Sequence, residues 1–126
     1  MPTAAQLQQL THEIIKLAQA HDYPALAGKL AYRGPFKSKE FAQPFDYTDA
    51  HDQRQVEATA NRIIGFMEGV TAQSGGVTFG DVYESVTDGL QWHAIEVYFN
   101  LGPDRRVRYF GYVQAGTQLL LGDIDR

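Results

Sequence analysis

The chain predicts an α+β fold in which three N-terminal helices pack on a bent, four-stranded antiparallel meander sheet. Two observations predict it. Apolar residues recur every three or four positions up to about residue 70, then every second position after the break at Ser74-Gly75-Gly76. The alternating stretches are joined by Thr87-Asp88-Gly89, Gly102-Pro103-Asp104 and Ala115-Gly116, turns too short for anything but antiparallel neighbours. Helices first and strands second place the helices on one face of the sheet. With 126 residues, 44% hydrophobic and 21% charged, the chain reads as a single globular domain over residues 1–126.

The first helix carries Leu7, Leu10, Ile14, Leu17 and Ala18 on one face, and Thr3 is placed to cap it. Asp22 caps a second helix with Pro24 in its first turn, Leu26 and Leu30 on one face, and Gly34-Pro35 as the stop. Residues 35–48 follow no period. Phe36, Phe41, Phe45 and Tyr47 read as anchors of an ordered loop, with Arg33 before it positioned to bond carbonyls. Lys37-Ser38-Lys39, beside Glu40, reads as solvated. The third helix spans 49–70, with Val56, Ala60, Ile63, Phe66, Met67 and Val70 as its stripe. Strands are expected over 77–86, 90–101, 106–114 and 117–123.

The second strand divides Ile95, Val97, Phe99 and Leu101 from Trp92, Ala94, Glu96, Tyr98 and Asn100. The third divides Val107, Tyr109, Gly111 and Val113 from Arg106, Arg108, Phe110, Tyr112 and Gln114. A connecting loop of three or five residues aligns the two β-branched sets, whereas four would oppose Phe99 to Arg108. The reading therefore places Ile95, Val97, Phe99, Val107 and Val113 beneath the helices. Trp92, Tyr98, Arg108, Phe110 and Tyr112 are left on an outer face, where Glu96 pairs with Arg106 and Arg108. A two-residue turn at Ala115-Gly116 would add Leu119 and Leu121 there. Aromatics and arginine among apolar neighbours have the composition of an interface core. The simplest partner is a second copy about a two-fold axis.

This order of elements resembles the cystatin-like α+β fold of the NTF2-like superfamily. The stretches that carry the resemblance are His21-Asp22-Tyr23-Pro24-Ala25-Leu26, the helix running to Val70, and the strand texture of 77–83, 92–99 and 109–113, with the ending 119–125. The resemblance implies a cone with a cavity between helices and sheet, and dimerisation across the sheet. The superfamily includes isomerase-like and cyclase-like enzymes, transport factors and association domains, so the fold alone transmits no activity. The isomerase pattern of a tyrosine and acids inside the cone has no match here, and no catalytic role carries over.

Candidate chemistry rests on few residues. His93 shares the face of Ile95 and Val97 and should point inward, where it would serve as a base, a ligand contact or a core imidazole. Asp81 and Tyr83 alternate with Phe79. They line the interior if that set faces in, and are solvated if Thr78, Val82 and Glu84 face in instead. A buried carboxylate there would have a raised pKa and could move protons. Phe66 faces the same space from the third helix, as a wall or a plug. His93, Tyr83, Asp81 and Phe66 are thus the candidate ligand-binding set, and Asp81, Tyr83 and His93 the catalytic candidates.

The chain has no cysteine, which removes disulfides, thiol nucleophiles and thiolate metal sites. His12, His21 and His51 lack metal-ligand spacing, and Asp123 and Asp125 alone supply too few oxygens for a hard cation. There is no phosphate loop and no G-x-S-x-G elbow. We therefore expect no metal and no cofactor. A net charge of −4 argues against nucleic acid and anionic membranes, and no apolar run reaches a membrane span of ~18 residues. The start MPTAAQLQQL has no basic n-region or apolar core, which predicts a cytoplasmic protein. The leading expectation is a non-catalytic homodimer whose cavity is filled or holds a small apolar molecule. The alternatives are a small isomerase, cyclase or dehydratase, and an adaptor docking another protein through the outer face.

Overall fold

A computed structural model describes residues 2–32 and 39–126. The expected stop at Gly34-Pro35, the Arg33 anchor, and Phe36, Lys37 and Ser38 lie outside the described residues. The elements are α1 (Ala4–Gln19), α2 (Tyr23–Ala27), a 3₁₀ turn (Lys39–Phe41), α3 (Ala50–Met67), β1 (Val77–Thr87), β2 (Leu90–Leu101), β3 (Asp104–Ala115) and β4 (Gln118–Asp125). The strands form one open antiparallel meander in the order β1-β2-β3-β4. Among the described residues, no helix is long and apolar enough to cross a membrane.

Local chemistry sets the helix starts. Thr3 Oγ1 accepts from the Gln6 amide at 3.1 Å, and Gln6 Oε1 accepts from the Thr3 amide at 2.7 Å, a reciprocal capping box. Asp22 and Asp49 cap α2 and α3 by the one-way bond alone, their carboxylates accepting from the Ala25 and Asp52 amides. Helix α2 ends at Ala27, short of Leu30. Leu30 instead forms a parallel bridge to Leu121, with Ala31 N donating to Leu121 O and Leu121 N to Lys29 O, each at 2.8 Å. These bonds draw the chain onto the edge of β4 and cover it.

The β2–β3 register differs from expectation. Leu101 pairs with Asp104, so the turn is only Gly102-Pro103, with Gly102 at φ 79°. Two-residue hairpin loops need that left-handed conformation and match strand twist best. Phe99 then opposes Arg106, Val97 opposes Arg108, and Ile95 opposes Phe110. Arg106, Arg108, Phe110 and Tyr112 therefore face the helices together with Ile95, Val97 and Phe99. Phe110 and Tyr112, expected on the outer face, are fully buried core residues. Leu121 pairs with Tyr112 and Leu119 with Gln114, so both join this inner set. The arginines are tolerated because they sit where the helix layer ends, with aliphatic stems packed and guanidinium groups bonded to carbonyls.

The core between helices and sheet is filled by side chains. Leu7, Ile14, Val56, Ile63, Phe99, Phe110 and Tyr112 are wholly buried in one cluster, and Phe66 packs on Phe99 at 5.4 Å between ring centroids. Thr11 interrupts the α1 stripe, and its hydroxyl lies 2.8 Å from Leu7 O and 2.6 Å from the Tyr112 hydroxyl. Thr11 has one proton, and its geometry directs it to Leu7 O, so the phenol donates to Thr11 Oγ1. Burial pushes the Tyr112 phenol above its usual ionisation near 10. Because the folded-state pKa is raised, this group's contribution is complete below about pH 10 and lost as pH climbs beyond it. Tyr112→Phe should cost about 1 kcal/mol at about pH 8. The gap to the parent should narrow at about pH 11, since the variant lacks that loss; urea unfolding at both pH values measures it.

A second, smaller core lies on the other side of the sheet. Ala31, Tyr32, Ala42, Leu90, Val113 and Leu120 are buried there, flanked by Phe41, Trp92 and Ala115. Ala31, Tyr32, Phe41 and Ala42 thus cover one end of the outer face. Trp92 lies over Gly111 and Gly122, its ring 5.9 Å from that of Tyr32. A Cβ at Gly122 would come within 2.8 Å of Trp92 and 3.2 Å of Tyr32. Gly122→Ala should therefore destabilise the fold by roughly 1–3 kcal/mol, read from the shift in denaturation midpoint.

Candidate functional site

The catalytic candidates do not converge. A bulge in β1 divides them: Phe79 pairs with Val97 and Val82 with Ile95, so two residues, Gly80 and Asp81, oppose Glu96 alone. The alternation reverses there. Phe79 and Val82 both pack on the core, while Tyr83 pairs with Ala94 on the outer face, half exposed. Neither facing expected for this strand holds along its whole length.

His93 points inward as expected and is 1% exposed. Its cross-strand neighbours are Glu84 and Tyr112. Its Nδ1 lies 3.4 Å from Glu84 Oε1, close enough for an ion pair if protonated, but without hydrogen-bond geometry and with no other bonding partner. We read the contact as electrostatic proximity, not a bond. Phe66 packs on Phe99, six residues along β2 from His93, roughly 20 Å at strand rise. His93 and Phe66 therefore do not border one small-ligand space, and Asp81 and Tyr83 lie outside it.

Asp81 and Tyr83 meet instead around Glu96 on the outer face. Glu96 Oε1 accepts from the Asp81 amide at 3.0 Å and the Tyr83 hydroxyl at 3.1 Å; Oε2 accepts from the Tyr98 hydroxyl at 3.2 Å. This corrects the expected pairing of Glu96 with Arg106 and Arg108, which lie across the sheet. Sequence reasoning missed Glu96 as a hub. The available signal was Gly80, since a glycine inside a strand marks a bulge. The carboxylate raises the Tyr83 phenol above its ordinary value, chiefly through the hydrogen bond. Tyr98 is raised by burial first and by Glu96 second, against the opposing charge of Arg105 stacked 4.1 Å from its ring. One carboxylate takes all three donors, so the cluster braces the bulged β1 against β2.

Beside this brace the outer face dips between Trp92 and Tyr109. The depression is about 360 Å³ and is lined by Ser85, Thr87, Trp92, Ala94, Tyr109, Gly111, Asp123 and Asp125. It has aromatic walls and a floor of small residues, with two carboxylates at its β4 rim. Of the expected interface residues, only Trp92 and Tyr98 belong to this face. Among the described residues, no three His, Asp or Glu side chains gather as metal ligands.

The arginines expected on the outer face form a separate feature on the inner side. Arg106 Nη1 donates to the Phe66 and Glu68 carbonyls at 2.9 and 2.6 Å, closing the C-terminal end of α3. Arg108 and Arg62 place their guanidinium carbons 4.8 and 5.6 Å from the Phe66 ring centroid.

No family model, no curated protein and no solved structure matches this chain.

The brace makes a direct prediction. Glu96→Gln removes the anionic acceptor, so Tyr83 and Tyr98 should ionise closer to their ordinary value. A phenolate absorbance titration should show two of the parent's late-titrating tyrosines moving to lower pH in the variant.

Proposed function

We propose that this chain is a non-catalytic NTF2-like association domain that pairs with a second copy through its outer sheet face. The observation that carries this reading is the aromatic-walled depression around Ala94 on a face the helices do not cover. Trp92, Tyr98, Val107 and Tyr109 are all only partly buried there. Apolar and aromatic surface of this kind, gathered in one place, marks an interaction site. The order of three helices and a four-stranded meander supports the superfamily reading.

Three further points favour association over catalysis. The space between helices and sheet is occupied by Phe66, Phe99, Phe110 and Tyr112, which supports a filled interior over one that holds a small apolar molecule. The catalytic candidates are split between opposite faces. Glu96, the central acid of the outer face, is held by three donors and so presents tyrosines to a partner and not a bare charge. The face left open beyond Tyr32, Phe41 and Ala42 is about four strands by eight residues, roughly 500 Å². That is somewhat below the ~800 Å² per partner of a standard interface, so the dimer should be reversible.

Sedimentation at micromolar concentration tests the reading. The parent should show a concentration-dependent dimer. Ala94→Arg, which sets a long cation into the depression, should be monomeric while its stability stays within roughly 0.5 kcal/mol of the parent. A parent that is monomeric throughout would overturn pairing with a second copy and leave the face to a different protein.

A further inference from the structure

We propose that the corner where β3 runs beside α3 and past the end of β4 is an oxyanion-binding site for a small phosphate-bearing ligand. Arg108 is its open donor, and Arg62 and Arg106 are its fixed flanks. The inference concerns the opposite side of the sheet from the association face and does not depend on it.

The first argument is charge without a counter-charge. The chain carries a net charge of −4, yet Arg62, Arg106, Arg108 and Arg126 gather at this corner. Among the described residues, neither the Lys29–Glu13 ion pair nor the His93–Glu84 contact involves an arginine. In an acidic chain, guanidinium ions that form no ion pair with a carboxylate among the described residues are the unusual arrangement. Burial and the charges of Arg126, Arg62 and Arg106 together make the Arg108 cation less favourable than it is in water. A bound dianion would reverse that electrostatic cost.

The second argument is what each arginine already does. Arg106 closes the α3 C-terminus, and Arg62 Nη2 donates to the Ile124 carbonyl at 2.8 Å, tying α3 to β4. Both have structural work that holds them in place. Arg108 does not: its one hydrogen bond goes to the carbonyl of the preceding residue, Val107, at 2.8 Å. Its guanidinium rests half-buried on Phe66, in contact with the ring that Arg62 also approaches. A guanidinium has five N–H donors, so most of those on Arg108 remain to be used.

The third argument is ligand chemistry. Guanidinium donors in fixed planes match the paired oxygens of a phosphate, and charge-assisted bonds of this type are short and strong. Preorganisation by Phe66, by the α3 carbonyls and by Ile124 O lowers the ordering cost of binding.

The test uses the full chain, with inorganic phosphate and pyrophosphate as probes against sodium chloride at equal ionic strength. Titration calorimetry should show saturable pyrophosphate binding, and the arginine Nε–Hε signals of Arg108 and Arg62 should shift with it. Arg108→Gln should weaken binding by about tenfold or more. Arg62→Gln, at an exposed helix position, should also weaken it, with the fold checked by its denaturation midpoint because the bond to Ile124 O is lost. Arg105→Gln, on the opposite face, should leave it unchanged. Absence of saturable binding beyond the chloride control would overturn the proposal. So would equal weakening by Arg105→Gln, which would indicate diffuse charge, or undiminished binding in both the Arg108 and Arg62 variants.

Discussion

The Gly102-Pro103 turn joins β2 to β3 through two residues, and the register it imposes decides the side of the sheet on which every β3 side chain lies. Side chains alternate, so a shift of one residue would exchange the whole set. With Leu101 opposite Asp104, Phe110 and Tyr112 enter the core and complete the layer of Ile95, Val97 and Phe99 beneath the helices. The same register brings Tyr112 to Thr11 on α1 and Arg106 to the end of α3. Helix placement, core composition and the arginine corner all follow from that pairing.

The outer face is shaped by two local departures from regular structure. The bulge at Gly80-Asp81 turns Tyr83 outward and aims an amide at Glu96, so one carboxylate gathers three donors from β1 and β2. At the other edge, the backbone bonds of Lys29 and Ala31 to Leu121 carry the chain around β4 and lay Tyr32 against Trp92. Between brace and cover lies the aromatic depression. The cover buries Val113 and Leu120, so the face that stays open is smaller than a whole sheet.

The two sides of the sheet also separate charge. Outward-facing acids stand on the face with the tyrosines, while Arg62, Arg106 and Arg108 collect around Phe66 on the helix side. The two proposals thus rest on unlike surfaces of one small domain, the aromatic face and the cationic corner. Both are carried by regular elements on a filled core. Their geometry is therefore fixed before any partner arrives, which lowers the cost of binding.

Much of the architecture is determined by short-range chemistry and was readable in the sequence. Thr3 and Asp22 cap helices because a side-chain oxygen satisfies an amide three residues on, with no help from elsewhere. Period alone marks Val56, Ala60 and Ile63 as the buried stripe of α3 and sets off the four strands. His93 was assigned to the inner face because only its own strand's alternation was needed. Register was not readable in this way. It depends on turn length, and a rule that keeps arginine out of the interior favours the wrong pairing when guanidinium groups can bond helix-end carbonyls and stack on a ring. The Gly80-Asp81 bulge, the cover over β4 and the meeting of Arg62, Arg106 and Arg108 around Phe66 arise from contacts between residues far apart in the chain. Those contacts exist only once the layers have packed, so the tertiary structure alone decided them.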